Sequence, residues 1–228
     1  MTRALEIPFI QVAGVADAEE AAMLLDCGVR YLGFPLRLPV NREDLTEDEA
    51  GHIIRSLRPH ARGVLITYLE RAPAIADFCR ALGARMVQVH GDIDPRELAG
   101  LRELDPGLTI IKSLVVGLHA VAVLERRAVE LAPLVDAFLT DTYAHDTGAA
   151  GATGRTHDWT LSRRLVELSP RPVILAGGLT PENVRRAILT VRPAGVDVHT
   201  GVEDASGRKD RSKVLAFVAE ANAGFAGG

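Results

Sequence analysis

Aromatic residues make up only 4% of this 228-residue chain, so its core has to be built from aliphatic side chains. There are two cysteines, Cys27 and Cys79. Two are too few for a disulfide framework or a cysteine metal cluster, and a reducing cytoplasm is the default setting for such a chain. The histidines show no ligand spacing, so a metal site is not expected. No apolar run reaches the roughly 18 residues that a membrane span needs. The opening MTRALEIPFIQ has one early arginine and no long apolar stretch, which does not read as a signal peptide. Cations are not in excess: 26 Lys and Arg stand against 30 Asp and Glu, for a net charge of −4. The basic footprint that nucleic acid or an anionic membrane surface requires is therefore absent. No low-complexity tract or Pro/Gly/Ser linker divides the chain, which reads as one domain over residues 1–228.

What the chain does contain is a repeated unit, a short aliphatic run followed by a stretch of period near 3.6. The runs are Phe9–Val12, Val29–Phe34, Gly63–Tyr68, Met86–Val89, Leu108–Lys112, Ala137–Thr140, Val173–Ala176 and Val196–Val198. Several are continuously apolar, as strands buried on both faces should be. The helical stretches are Asp17–Asp26, Glu47–Leu57, Ala72–Leu82, Pro95–Leu104, Gly117–Leu131, Trp159–Glu167, Pro181–Thr190 and Arg211–Ala221. Thr46 with Glu49 resembles a capping box, Gly28 and Gly83 suit C-caps, and Thr180-Pro181-Glu182 offers a helix start. Eight strand–helix units in this length predict an α/β fold, a single-domain (β/α)8 TIM barrel. An open doubly wound sheet is the alternative, but it more usually carries a glycine fingerprint after its first strand. Ala13-Gly14-Val15-Ala16-Asp17 is not that fingerprint.

Barrels place their chemistry at the C-terminal ends of the strands. That selects Gln11 and Ala13 after the first strand, Arg37 and Arg42 after the second, and Gln88, His90 and Asp92 after the fourth. Lys112 ends the fifth and Asp141 the sixth. Gly177-Gly178 end the seventh, and His199-Thr200-Gly201 the eighth. The last two loops resemble a phosphate cradle, because glycine lets backbone approach a ligand and free N–H groups attract anions. Asp141 closes an apolar run, where a carboxylate is costly unless paired or used. A long glycine-rich loop, His145–Gly154, follows it and reads as a lid. Lys112 suits either a substrate anion or a structural ion pair. His90 suits either the barrel mouth or a hydrogen-bonded structural place.

Six segments in order resemble the phosphoribosylanthranilate isomerase family of tryptophan biosynthesis. Val87–Asp92 resembles its VQLHGDE and Phe138–Thr142 its LLDT; Gly151–Trp159 resembles GGTGKTFDW. Leu175–Val184 resembles LAGGLNPDNV, Gly195–Glu203 GVDVSSGVE, and Gly207–Asp210 PGxKD. The resemblance implies a (β/α)8 barrel, no cofactor or metal, a phosphorylated-sugar substrate, and a monomer or homodimer. It also implies an Amadori rearrangement, in which an Asp protonates the ribose ring oxygen and a Cys removes the C2′ proton. The acid carries over onto Asp141 and the carboxylate-holding arginine onto Arg42. The phosphate loops carry over onto Gly177, Gly178, Thr200 and Gly201, with His199 beside them. Gly151, Thr153, Gly154, Gln88 and Lys112 complete the expected substrate contacts.

The base does not carry over. Where the family reads KICG this chain has Gln11-Val12-Ala13-Gly14, and alanine cannot take a proton. A general base is worth about 10²–10⁴-fold. Three readings follow. The chain is an isomerase with a replacement base, for which His90, Asp92, His199 or a proton-relaying Asp141 offers itself. Or it performs a changed reaction on a phosphorylated sugar, or it binds a phosphosugar or a partner without turnover.

Overall fold

The computed structural model describes residues 5–39, 45–57, 59, 61–116, 121–144, 149–150 and 158–228. Eight parallel strands close on themselves: β1 (Phe9–Ala13), β2 (Tyr31–Pro35), β3 (Arg62–Thr67), β4 (Met86–Val89), β5 (Thr109–Val116), β6 (Ala137–Ala144), β8 (Val173–Leu175) and β9 (Gly195–Val198). β1 pairs with both β2 and β9, and β5 with β6, which shuts the ring. A two-residue strand, β7 (Ala149–Ala150), turns back antiparallel on the end of β6. Helices α1 (Ala18–Asp26), α2 (Glu47–Ser56), α3 (Ala72–Leu82), α4 (Pro95–Leu104), α5 (Val121–Leu131), α6 (Trp159–Leu168), α7 (Val184–Val191) and α8 (Arg211–Ala226) alternate with the strands. The chain is the expected (β/α)8 barrel.

The period-2 pattern of the strands divides the core in two. Phe9, Tyr31, Val64, Met86, Ile111, Ala137, Leu139, Ile174 and Ala176 fill the lumen, with the Phe9 and Tyr31 rings stacked 4.0 Å apart. The alternate residues, such as Val12, Leu32, Val87, Ile110, Phe138 and Val196, face the helices in a larger aliphatic layer. Each such side chain contributes about 1.5–3 kcal/mol through burial. The helix ends follow their sequence signals. Thr46 and Glu49 form the full capping box, Asp17 caps α1, and Gly83 ends α3 with φ +74°.

The structure departs from the sequence reading in three informative places. β5 does not end at Lys112 but runs four residues further, as Ser113–Val116 pair with Leu139–Thr142. A charged residue looked like a terminator there, yet Lys112 partners Val89 and Phe138, which belong to the outer layer. Its ammonium donates to its neighbour's carbonyl, Nζ to Ser113 O at 2.7 Å. Helix α7 starts at Val184 rather than Pro181. The Asn183 amide accepts from Thr180 N–H and donates to Gly178 O, both at 2.9 Å, and so fixes a turn before the helix. α8 runs five residues past Ala221, because Gly224 lets it approach Ile188 of α7; a Cβ there would sit 3.1 Å from that side chain.

Candidate active site

The inward residues of β1 are Phe9, Gln11 and Ala13, since Phe9 fills the lumen and side chains alternate. Gln11 pairs with Asp197 of β9 in register, so that carboxylate also faces inward, between the outward Val196 and Val198. On β6, Ala137 and Leu139 fill the lumen and Asp141 is the next inward residue. The apolar floor thus gives way to a polar layer toward the C-terminal ends of the strands.

That layer is hydrogen-bonded in sequence. Gln11 Nε2 donates to Gln88 Oε1 at 3.0 Å, and Gln88 Nε2 lies 2.6 Å from His90 Nε2. Because the Gln88 oxygen is already an acceptor, its amide N–H group must donate to the ring. His90 Nε2 therefore accepts, and the ring proton sits on Nδ1. The His90 ring also packs against Tyr68, with centroids 5.4 Å apart. Asp141 is 5% exposed, and its Oδ1 accepts from Thr142 N–H at 2.7 Å. Asp197 is 8% exposed, and its Oδ1 has no hydrogen-bond partner among the described residues. Burial, reinforced by the charge of Asp141, pushes the Asp197 carboxyl up to about 7 against the pull of Gln11 and Lys209. Burial also raises the Tyr68 phenol to about 12, with Asp141 adding to it.

The two glycine loops meet at the same end of the barrel. Gly177 and Gly178 have φ of +91° and +62°, conformations that side chains resist. Gly201, in the single 3₁₀ turn Thr200–Val202, presses on the other loop: a Cβ there would lie 1.9 Å from Leu179 O. The ring of His199 packs against Gly14 with Nε2 nearest, in the space a Cβ there would fill. Nε2 of His199 is 3.5 Å from Glu203 Oε1. Beneath it the buried Lys209 ammonium binds Glu203 Oε1 at 2.6 Å and His199 O at 3.3 Å. Burial first, and Lys209 second, push the His199 pKa down to about 3, so the ring is neutral. A phosphate beside the ring would have to overcome both to hold it protonated. Lys209 N–H donates to Glu20, whose other oxygen accepts from Ala16 N–H, so the loops after β1 and β9 are tied together.

Gln11, Ala13, Gln88, His90, Asp141, Gly177, Gly178, His199, Thr200 and Gly201 therefore come to one end of the barrel. Lys112 does not join them. It lies in the layer between strands and helices, and burial with the nearby Arg127 lowers its pKa to about 8. Its place as a substrate contact is corrected accordingly. Asp92 is also outside the lumen; its carboxylate is mostly exposed and ion-paired with Arg127 at 2.7 Å. Arg37 spends its guanidinium on Glu47, at 2.8 Å, and on the Phe78 ring, 3.8 Å away. Arg42, Gly151, Thr153 and Gly154 lie outside the described residues. Sequence reasoning did not single out Asp197, although one signal was available: an acid in the middle of the apolar run Gly195–Val198. Among the described residues no group of His, Cys, Asp and Glu is placed to hold a metal ion, and no helix is long and apolar enough to cross a membrane.

Comparison with known proteins agrees with this fold. Residues 10–220 match the family model described as N-(5′-phosphoribosyl)anthranilate (PRA) isomerase. An N-(5′-phosphoribosyl)anthranilate isomerase 2 of Methanosarcina mazei is 38% identical over 221 residues, covering 95% of each chain. The phosphoribosylanthranilate isomerase structure from Thermotoga maritima superposes with a TM-score of 0.78 at 28% identity, covering 94% of this chain and 98% of that one. A further structure of such an isomerase contains reduced 1-(o-carboxyphenylamino)-1-deoxyribulose 5-phosphate; its TM-score is 0.76 at 27% identity, with the same coverage. A resemblance carried by six short segments is thereby extended to the fold and nearly the full length, and the chain belongs to the phosphoribosylanthranilate isomerase family.

Proposed function

We propose that this chain catalyses the aldose–ketose isomerisation of a phosphoribosylated aromatic amine, N-(5′-phosphoribosyl)anthranilate, with Asp141 as the general acid. The observation that carries this reading is a buried carboxyl in the C-terminal half of β6, at the same barrel end as the two glycine loops. In this arrangement the glycine loops hold the phosphate through backbone N–H groups, and the ribose lies over the lumen. Asp141 gives its proton to the ring oxygen as the C1′–O bond breaks, leaving an iminium. The low dielectric of the buried layer strengthens each of these contacts. Gln88 and His90 line the lumen beside it. Both cysteines are free and buried, which suits the reducing cytoplasm we assign to the chain.

The test is loss of substrate fluorescence in wild type and in Asp141→Asn. Wild-type turnover that falls by about 10²–10⁴-fold in the variant supports the reading. One observation favours a second reading: Ala13 has no titratable group. A chain that binds the reduced ketose product analogue but leaves the substrate unchanged would be a phosphosugar-binding member of the family, or one with a changed reaction.

A further inference from the structure

The isomerisation needs a base at C2′, and position 13 cannot supply one. The lumen offers few replacements. His90 Nε2 is occupied by the Gln88 amide. Asp92 is on the surface with Arg127. His199 is pressed on Gly14 with Nε2 turned to Glu203. Gln11 has no basic atom. Asp141 is committed to the ring oxygen. Among the described residues one group remains: the Asp197 carboxylate, inward-facing, on the strand that pairs with β1, in register with Gln11 and two residues along from the opposing Ala13. Its Oδ1 is more than nine-tenths buried and has no partner among the described residues. A buried acceptor left open is costly, and a proton to be taken from a ligand would satisfy it.

We infer that Asp197 is the general base of this chain, taking the C2′ proton that a thiolate takes elsewhere in the family. The assignment rests on the isomerase reading above. Asp141 protonates the ring oxygen and the C1′–O bond breaks. Asp197 then removes the C2′ proton. The electrons of that C–H bond form the C1′=C2′ bond, and the iminium pair moves to nitrogen. The enolamine next takes a proton at C1′ from Asp197 and returns its hydroxyl proton to Asp141. Both carboxyls are then restored. The groups facing Asp197 are Asp141 from β6, Gln11 from β1 and Lys209 from the segment before α8. Burial and the charge of Asp141 raise the Asp197 carboxyl to about 7, so it takes up and gives back a proton near neutrality.

The experiment measures kcat and KM for N-(5′-phosphoribosyl)anthranilate from pH 5.5 to 9 in wild type and Asp197→Asn, with binding of the reduced ketose analogue measured alongside. The expected result is a fall of about 10²–10⁴-fold in kcat. Analogue affinity changes far less than kcat, and the acid limb of the wild-type profile, near pH 7, disappears from the residual activity. Asp197→Asn/Ala13→Cys then regains turnover, with its acid limb moved toward the thiol range. A kcat within threefold of wild type overturns the assignment, as does a lowered kcat whose acid limb is unchanged. Wild type that is inert before any substitution overturns the isomerase reading, and this assignment with it.

Discussion

The two ends of the barrel lumen are built on opposite rules. At the floor, Phe9, Tyr31, Val64, Met86 and Ile111 interlock. At the mouth stand two carboxyls, two glutamines and a histidine, of which Asp197 Oδ1 and Gln11 Oε1 have no hydrogen-bond partner among the described residues. Side chains from the same strands supply both ends, two or four residues apart. The floor lowers the free energy of the fold; the mouth raises it, because buried polar atoms without partners cost about 1–3 kcal/mol each. Evolution keeps such atoms where a ligand completes them, so the mouth is legible as a site from its stability cost alone.

Substitutions that separate the two ends test this contrast. The largest effect belongs to Asp141→Asn, which should lower kcat by about 10²–10⁴-fold with a melting temperature at or above that of wild type. Phe9→Ala, at the floor, should do the reverse. It removes a fully buried ring and should cost about 3–5 kcal/mol in chemical denaturation, while the remaining folded protein binds substrate normally. Gly201→Ala drives a methyl into Leu179 O and should cost about 1–3 kcal/mol, with the larger loss in affinity for phosphorylated ligands, read by calorimetry. Asp197 gives a stability signature of its own. Its folded pKa of about 7 lies above the unfolded value near 3.9, so the folded state holds the proton more tightly. Its stabilising contribution is present below about pH 4 and is lost as pH rises toward and through 7. Asp197→Asn should flatten that part of the urea-midpoint profile and raise stability at pH 8. Thr46→Ala, in the exposed capping box, should cost about 1 kcal/mol and leave turnover unchanged.

Much of this was readable in the sequence. The eight aliphatic runs gave the barrel because parallel strands are buried on both faces and leave little room for polar residues. Asp141 stood out because it closes such a run, and the glycine loops because glycine lets backbone approach a ligand and free N–H groups attract anions. What stayed hidden depended on which face a residue occupies. Lys112 looked like a strand end at the mouth, but its position in the alternation puts it outside the lumen. Asp197 sits inside a short apolar run, and only its pairing with Gln11 shows that it faces inward. Asn183 displaced the start of α7 by three residues because its amide bonds the turn before the helix. Lys209 and Glu20 lie 189 residues apart, so no local pattern could announce the bond that joins the loops after β1 and β9.

The central claim is that a barrel mouth with alanine at position 13 still isomerises its substrate through carboxyl groups. The most direct test is to mix wild-type protein with N-(5′-phosphoribosyl)anthranilate at neutral pH and follow substrate fluorescence. The account predicts catalytic loss of fluorescence that scales with protein concentration and survives thiol-alkylating reagents, since Cys27 and Cys79 are buried and take no part. Fluorescence that stays constant with protein in excess over substrate would contradict it.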